Sequence, residues 1–385
     1  IGVTGTKGKT TTTHMIRAIL LAAGKKVGMI GTTGTVIGDV VTPTLNTTPE
    51  SYELHQAFAQ MVEAGCEYAV MEVSSQGIKM HRTDGLYFNY AIFTNISPDH
   101  IGPGEHADFE EYLYYKTRLL NMCGIGLVNK DDEHAPQIIK AANCELYTYS
   151  EESKEADFVA SDIRYVSQPD FVGTEFHISG KYDMEVRLGI PGLFNVVNAL
   201  AAVSVCSFLG LDQARISHAL ENIRVNGRME IVYTSERCTV LVDYAHNAVS
   251  MESLLSTLRD YKPKRLVCVF GCGGNRSKDR RYSMGEIGGK MADLSIITAD
   301  NSRYEKVEDI IADIRGSIEK TGGKFIEIPD RREAIRYSIL HAQPGDMVAV
   351  IGKGHEDYQE INGVRHHFLD REVIEETVKE LGEKA

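Results

Sequence analysis

IGVTGTKGKTTT, residues 1–12, is the stretch on which the reading of this chain turns. A short apolar run enters a glycine-rich turn, Lys9-Thr10 follows, and apolar residues then recur at helical spacing from His14 to Leu21. That succession of strand, turn and helix holds a nucleotide phosphate: glycines let backbone N–H groups converge on the phosphate oxygens, and the helix start favours negative charge. Lys9 then reaches the outer phosphates and Thr10 offers its hydroxyl to Mg²⁺. Gly5, Thr6, Lys7, Gly8, Lys9, Thr10 and Thr11 are therefore the candidate nucleotide-phosphate contacts. The strict P-loop pattern would have a glycine at Val3, so a tight strand-to-helix turn without a ligand is the alternative.

With 385 residues, 43% apolar and 25% charged, the chain has the make-up of a globular protein of more than one domain. No run approaches the roughly 20 apolar residues that span a bilayer, and no stretch resembles a signal peptide. A net charge of −13 argues against non-specific nucleic-acid binding. The seven cysteines are scattered, and Cys268 and Cys272 are too far apart for a C-x-x-C pair. We therefore expect reduced, structural thiols in a cytoplasmic protein; a monomer with small-molecule partners, without membrane or nucleic acid, is a separate expectation.

Short β-rich apolar runs alternate with helical patterns. Lys26–Ile30, Tyr68–Val73, Tyr90–Thr94 and Gly126–Asn129 read as strands, Ser51–Ala64 and Phe109–Asn121 as helices. The expectation is an α/β fold, a mostly parallel P-loop-type sheet wound by helices. Phe158–Ala160, Thr174–Ile178 and Met184–Leu188 alternate like a small antiparallel subsheet, and a helix follows over Leu193–Leu209. Near Glu221–Met229 the alternation restarts, with Val240–Asp243, Leu266–Gly271, Ser295–Thr298 and Met347–Ile351 as strands. This divides the chain into a P-loop nucleotide-binding domain over 1–224 and a Rossmann-like α/β domain over 225–385.

Open α/β sheets bind ligands where their strands end. Glu72 closes one strand, where a carboxylate beside a P-loop is placed to take Mg²⁺; a solvated glutamate is the equal alternative. His100 follows another strand, as a metal ligand or a surface histidine. Lys116 lies in a helical pattern, where a lysine is usually a solvated charge.

GTKGKTTT (5–12), GTTG (31–34), TTPE (47–50), MEVSSQ (71–76), TNISPDH (94–100), Lys116, NGRME (226–230), VDYAHN (242–247), FGCGGNR (270–276), DNSR (300–303) and GKGHE (352–356) occur in that order. Together they resemble the Mur ligases of peptidoglycan synthesis, within them the MurE type that adds the third residue to a UDP-N-acetylmuramoyl-dipeptide. Folylpolyglutamate and cyanophycin synthetases share the P-loop region but are less similar at TTPE, DNSR and GKGHE. The resemblance implies an ATP-dependent amide ligase working through an acyl phosphate. It also implies an N-terminal domain that grips uridine diphosphate, which this stretch does not contain.

Residue by residue, the resemblance implies Lys9, Glu72, His100 and Lys116 as the catalytic set. Thr10 and Glu72 hold one Mg²⁺; His100 and a carbamylated Lys116 hold the second. Asn198, Arg228, Asp243 and His246 resemble the nucleotide contacts, with a helix residue packed on the sheet as the alternative for Asn198. Thr47, Thr48, Ser75 and Arg82 resemble contacts to the muramoyl-peptide; Gln76 stands where many relatives have histidine. Arg281, Asp300, Asn301, Arg303, Gly352 and Glu356 resemble the amino-acid pocket. An arginine fork suits a carboxylate and Glu356 suits an ammonium, which favours meso-diaminopimelate over L-lysine. Ser302 stands where the family's diaminopimelate motif has proline, and Arg303 pairing with Glu305 or Asp300 is the alternative.

Overall fold

The computed structural model describes residues 1–382. The chain packs as two compact units, one built from 1–164, 175–188 and 193–223, the other from 165–174, 189–192 and 224 onward. The strands of the first sheet, in chain order, are Gly2–Thr4 (β1), Val27–Gly31 (β2), Gly34–Ile37 (β3), Val40–Thr42 (β4), Tyr68–Glu72 (β5), Phe88–Phe93 (β6), Cys123–Asn129 (β7), Glu145–Ser150 (β8), Phe158–Gln168 (β9), Phe171–Gly180 (β10) and Met184–Leu188 (β11). They form one sheet in the order β11-β10-β9-β8-β7-β6-β1-β5-β2-β3-β4. Residues 165–174 of β9 and β10 are counted with the second unit. The segment expected to form a small antiparallel subsheet is joined to the main sheet, β9 pairing parallel to β8 through Tyr149 and Ser150.

β1 pairs parallel with β5 on one side and β6 on the other, Val3 facing Glu72 and Ile92. The chain leaves β1 through helix α1 (Lys9–Ala22) and returns as β2 on the far side of β5. That skipped position puts the ends of β5 and β6 on either flank of the turn after β1. Further helices are Ser51–Glu63 (α2), Ser75–Lys79 (α3), Phe109–Thr117 (α4), Ala135–Ala141 (α5), Leu193–Phe208 (α6) and Gln213–Glu221 (α7). α6 carries its hydrophobicity on nearly every side, and most of its residues are buried.

The second unit has strands Glu230–Thr234 (β12), Cys238–Asp243 (β13), Arg265–Phe270 (β14), Leu294–Ile297 (β15), Phe325–Glu327 (β16) and Asp346–Ile351 (β17), in the order β12-β13-β17-β14-β15-β16. All neighbours pair in parallel except β12 with β13. The central strands read as unbroken apolar runs, as LVCVF in β14, because both faces are covered. The helices are Ala248–Asp260 (α8), Lys278–Met291 (α9), Val307–Thr321 (α10), Arg331–Leu340 (α11) and Asp370–Glu380 (α12); a hairpin of Tyr358–Ile361 (β18) and Val364–His367 (β19) stands apart from the sheet. No helix among the described residues is long and apolar enough to cross a membrane.

Candidate functional site

The turn after β1 is held from both flanks. Thr6 N–H donates to the Asn95 carbonyl at 2.9 Å and Lys7 N–H to Asn95 Oδ1 at 2.9 Å. Thr94 Oγ1 donates to the Lys7 carbonyl at 2.6 Å. Gly5 has φ 144° and runs so close to β6 that a Cβ there would lie 1.9 Å from Thr94 Oγ1. Gly8, at φ 85°, caps α1 without any side-chain hydrogen bond, and a Cβ on it would meet Asn198 Oδ1 at 2.4 Å. The first amides of α1 have no intrahelical acceptor, which makes the turn suited to an anion. Gly5→Ala is expected to destabilise the first unit by about 2–4 kcal/mol through strain and overpacking, read as a lower urea midpoint.

Two amines converge on this turn. Lys9 Nζ donates to the Gly5 carbonyl at 2.9 Å and the Thr6 carbonyl at 3.1 Å, and Lys116 Nζ donates to the same Gly5 carbonyl at 2.7 Å. Lys116 is 2% exposed, and burial, reinforced by the charge of Lys9, pushes its ammonium well below the ordinary lysine range. Its Nζ also lies 4.7 Å from the ring centre of Tyr112, one helical turn earlier on α4. Tyr112 in turn bonds Thr6 Oγ1 at 3.1 Å, and burial raises its phenol to about 12.

Across the turn, Thr10 Oγ1 donates to Glu72 Oε2 at 3.0 Å, and Glu72 Oε1 accepts the Thr32 amide at 2.9 Å. A hydroxyl and a carboxylate oxygen so paired are the hard donors Mg²⁺ takes alongside phosphate oxygens. Among the described residues no three His, Cys, Asp or Glu side chains form a ready-made metal cage. His100 is exposed, at φ 53°, with Nδ1 3.0 Å from Glu105 Oε1 and its ring 6.2 Å from that of Tyr112. Thr11 is buried in α1 rather than presented to a ligand. Asn198, on α6, accepts from Thr12 Oγ1 at 3.4 Å and abuts Gly8, so it backs the turn.

Of the residues expected to meet the muramoyl-peptide, Thr47 is half-buried, its hydroxyl 3.0 Å from Thr32 Oγ1. Thr48 is fully buried, donating to the Glu72 carbonyl at 3.1 Å and accepting from Ser74 N–H at 2.9 Å. Ser75 is buried too, its Oγ 2.9 Å from Nε2 of His106, a histidine the sequence did not single out. Arg82 donates to the Thr48 carbonyl at 3.1 Å and pairs with Glu50 at 2.7 Å. In this structure Thr48, Ser75 and Arg82 are therefore committed to the protein itself.

The second unit carries a polar cavity of about 450 Å³ whose walls include His246, Asp300, Asn301, Arg303, Gly352 and Glu356, all named from the sequence. Asn301 organises it: Nδ2 donates to Glu356 Oε2 at 3.0 Å, and Oδ1 accepts from the Glu360 amide at 2.9 Å and from Lys353 Nζ at 3.3 Å. Lys353, fully buried, also pairs with Glu356 at 3.2 Å. It sits inside the GKGHE motif and also donates to the Tyr358 carbonyl. Arg303, at φ 51°, donates Nη1 to the Gly274 carbonyl at 2.7 Å, and its Nε lies 3.7 Å from Glu360, not against Glu305 or Asp300.

Arg281 lies outside the lining of that cavity. It is 1% exposed and spends its guanidinium on Asp313 at 2.9 Å and on both oxygens of Glu305 at 2.8 Å. Its neighbours Arg276 and Arg280 line the cavity instead. Successive helix residues point about 100° apart, so one step along α9 exchanges the cavity for the contact with α10. Beside the cavity, Asp243 accepts amides of Met229 and Ala245, each at 2.8 Å, yet burial still raises its carboxyl. Arg228 stacks 5.0 Å from the Tyr244 ring centre. A Cβ on Gly227, at φ 66°, would sit 2.2 Å from the His355 amide.

Comparison with known proteins finds two family regions in the chain. Residues 3–206 match the Mur ligase middle domain and 227–354 the Mur ligase glutamate ligase domain. The chain is 40% identical to the UDP-N-acetylmuramoyl-L-alanyl-D-glutamate–2,6-diaminopimelate ligase of Caldanaerobacter subterraneus, over 99% of this chain and 78% of that protein. It is 41% identical to the ligase of the same name from Clostridium tetani, with the same coverage. A solved structure of such a ligase superposes with a TM-score of 0.77 at 34% identity, covering all of this chain and 78% of the other. The chain belongs to the Mur ligase family of ATP-dependent, amide-bond-forming enzymes.

Proposed function

We propose that this ligase joins meso-diaminopimelate to UDP-N-acetylmuramoyl-L-alanyl-D-glutamate in the assembly of a peptidoglycan precursor. The observation that carries the choice of amino acid is the cavity with Arg276, Arg280 and Arg303 set against Asp300 and Glu356. A ligand with a carboxylate and an ammonium at each end satisfies both signs of charge; lysine lacks the distal carboxylate. Residues 1–224 form the ATP domain and 225–385 the amino-acid domain.

ATP supplies a phosphate that converts the acceptor's carboxylate oxygen into a good leaving group before the incoming amine displaces it. The protein's own part is to position and to neutralise charge. The Gly5–Thr10 backbone and Lys9 hold the outer phosphates, Thr10 and Glu72 take one Mg²⁺, and His100 with Lys116 serves the second. Arg228, Asp243 and His246 belong to the nucleotide. Lys116 acts as its CO₂ adduct: the neutral amine is the form that adds CO₂, and burial favours that form. The carbamate turns a cation into an anion, reversing the sign of the charge offered to a metal.

Phosphate release from ATP, measured on full-length protein with the UDP-muramoyl-dipeptide, tests the reading. Release is expected only when the dipeptide and diaminopimelate are both present. Turnover with lysine but not diaminopimelate would overturn the pocket assignment, and none with either would point to another acceptor.

A further inference from the structure

Arg331 lines no part of the cavity described above. It is 1% exposed, at the first position of α11, where a positive charge opposes the helix dipole. Four of its five N–H donors are nonetheless used. Nε and Nη2 reach Asp370 Oδ1 and Oδ2, each at 2.7 Å, and Asp370 is itself fully buried at the start of α12. The other two turn outward to two carbonyls: Nη1 to Ala299 at 3.2 Å and Nη2 to Ile351 at 3.0 Å. Ala299 immediately precedes the Asp300–Arg303 loop, and Ile351 immediately precedes Gly352–Glu356.

Those two loops supply Arg303 and Glu356 to one cavity, yet they leave from β15 and β17, which are not neighbours in the sheet. They approach closely: a Cβ on Gly352 would lie 2.7 Å from Asp300 Oδ2. We infer that Arg331, locked by Asp370, is a positioning residue that ties the two loops to one rigid point and thereby sets the spacing between Arg303 and Glu356. This rests on the amino-acid pocket proposed above. Only a guanidinium serves, because the task needs a bidentate carboxylate contact and two further donors in fixed directions; an ammonium offers three donors from one point.

The test uses two variants and one measurement on the unaltered protein. Arg331→Lys keeps the charge and loses the fork; Arg331→Met with Asp370→Leu removes the buried pair as a unit, which folded proteins tolerate better than loss of one partner. In both, KM for whichever amino acid the parent enzyme turns over is expected to rise about tenfold or more, with KM for ATP unchanged. Hydrogen exchange across a urea series on the parent protein follows the amides of Arg303 and Gly352, bonded to the Glu360 and Asp243 carbonyls. Both amides are expected to open only together with α11 and α12. Folded variants with an unchanged amino-acid KM, or loop amides that open well before those helices, would overturn the inference. So would a parallel rise of both KM values. Should the parent turn over no amino acid, the proposed function fails, while the exchange measurement still decides the role of Arg331.

Discussion

Lys116→Met is expected to abolish most activity while leaving the fold at least as stable as before. Without the amine that carries the CO₂ adduct, kcat should fall by about 10²–10³, the scale on which a single charged group in a preorganised site acts. Stability moves the other way because the ammonium is buried without a carboxylate partner at hydrogen-bond distance, and methionine fills similar space without that desolvation penalty. The pH dependence has a definite sign. The folded-state pKa of Lys116 is depressed, so between it and the ordinary lysine value the unfolded chain holds more protons than the folded one, and stability rises with pH. The penalty is complete below the folded pKa and gone above the unfolded one. In CO₂-free buffer, the stability gap between Lys116→Met and the parent protein should therefore narrow as pH climbs. Stripping CO₂ should silence the parent and bicarbonate restore it, with no response in the variant. A parent enzyme indifferent to CO₂ would remove the adduct from the mechanism, and a gap independent of pH would contradict the burial of a titrating amine.

The second large effect belongs to Arg303. Its replacement by asparagine, which tolerates the left-handed backbone at φ 51°, should lower kcat/KM for diaminopimelate by about 10²–10³. Any turnover of lysine should be nearly unaffected, so the variant loses discrimination rather than chemistry. Arg303→Lys should recover little, because a point charge cannot give the paired contacts of a fork. Steady-state kinetics with both amino acids decides it: equal losses for the two substrates would mean that Arg303 holds its loop through the Gly274 carbonyl and does not read the distal carboxylate.

The sequence discloses local features well and distant pairings poorly. Gly5 to Thr10 announce themselves because the glycines, the lysine and the helix start are adjacent, and Glu72 and the 94–100 stretch because each ends an apolar strand. Nothing local shows that β1 inserts between β5 and β6, which is what brings those ends beside the turn. Tyr112 was legible in principle, four residues before Lys116 on the same helix face, but an aromatic at that spacing is ordinarily core. His106, Lys353 and Arg331 were hidden for one reason: their partners lie in other elements, and burial converts each from an expected surface charge into an internal one. Arg281 failed in the opposite sense, since a single helical step decides between cavity and core. The β3–β4 and β18–β19 hairpins carry mixed residues and gave no periodicity to read.

The cavity that Asn301 organises also bears on chemical intervention. Its lining is dominated by arginine, aspartate, glutamate and glycine, with Tyr244 and Tyr358 the principal apolar surfaces. A compound that occupied it without charges of its own would strip water from those groups and return nothing, a loss of several kcal/mol. Effective occupants must therefore be small zwitterions, and such molecules cross lipid bilayers poorly unless a carrier accepts them. Antagonists of this pocket are better sought as masked amino acids, unveiled after entry, than as neutral drug-like scaffolds.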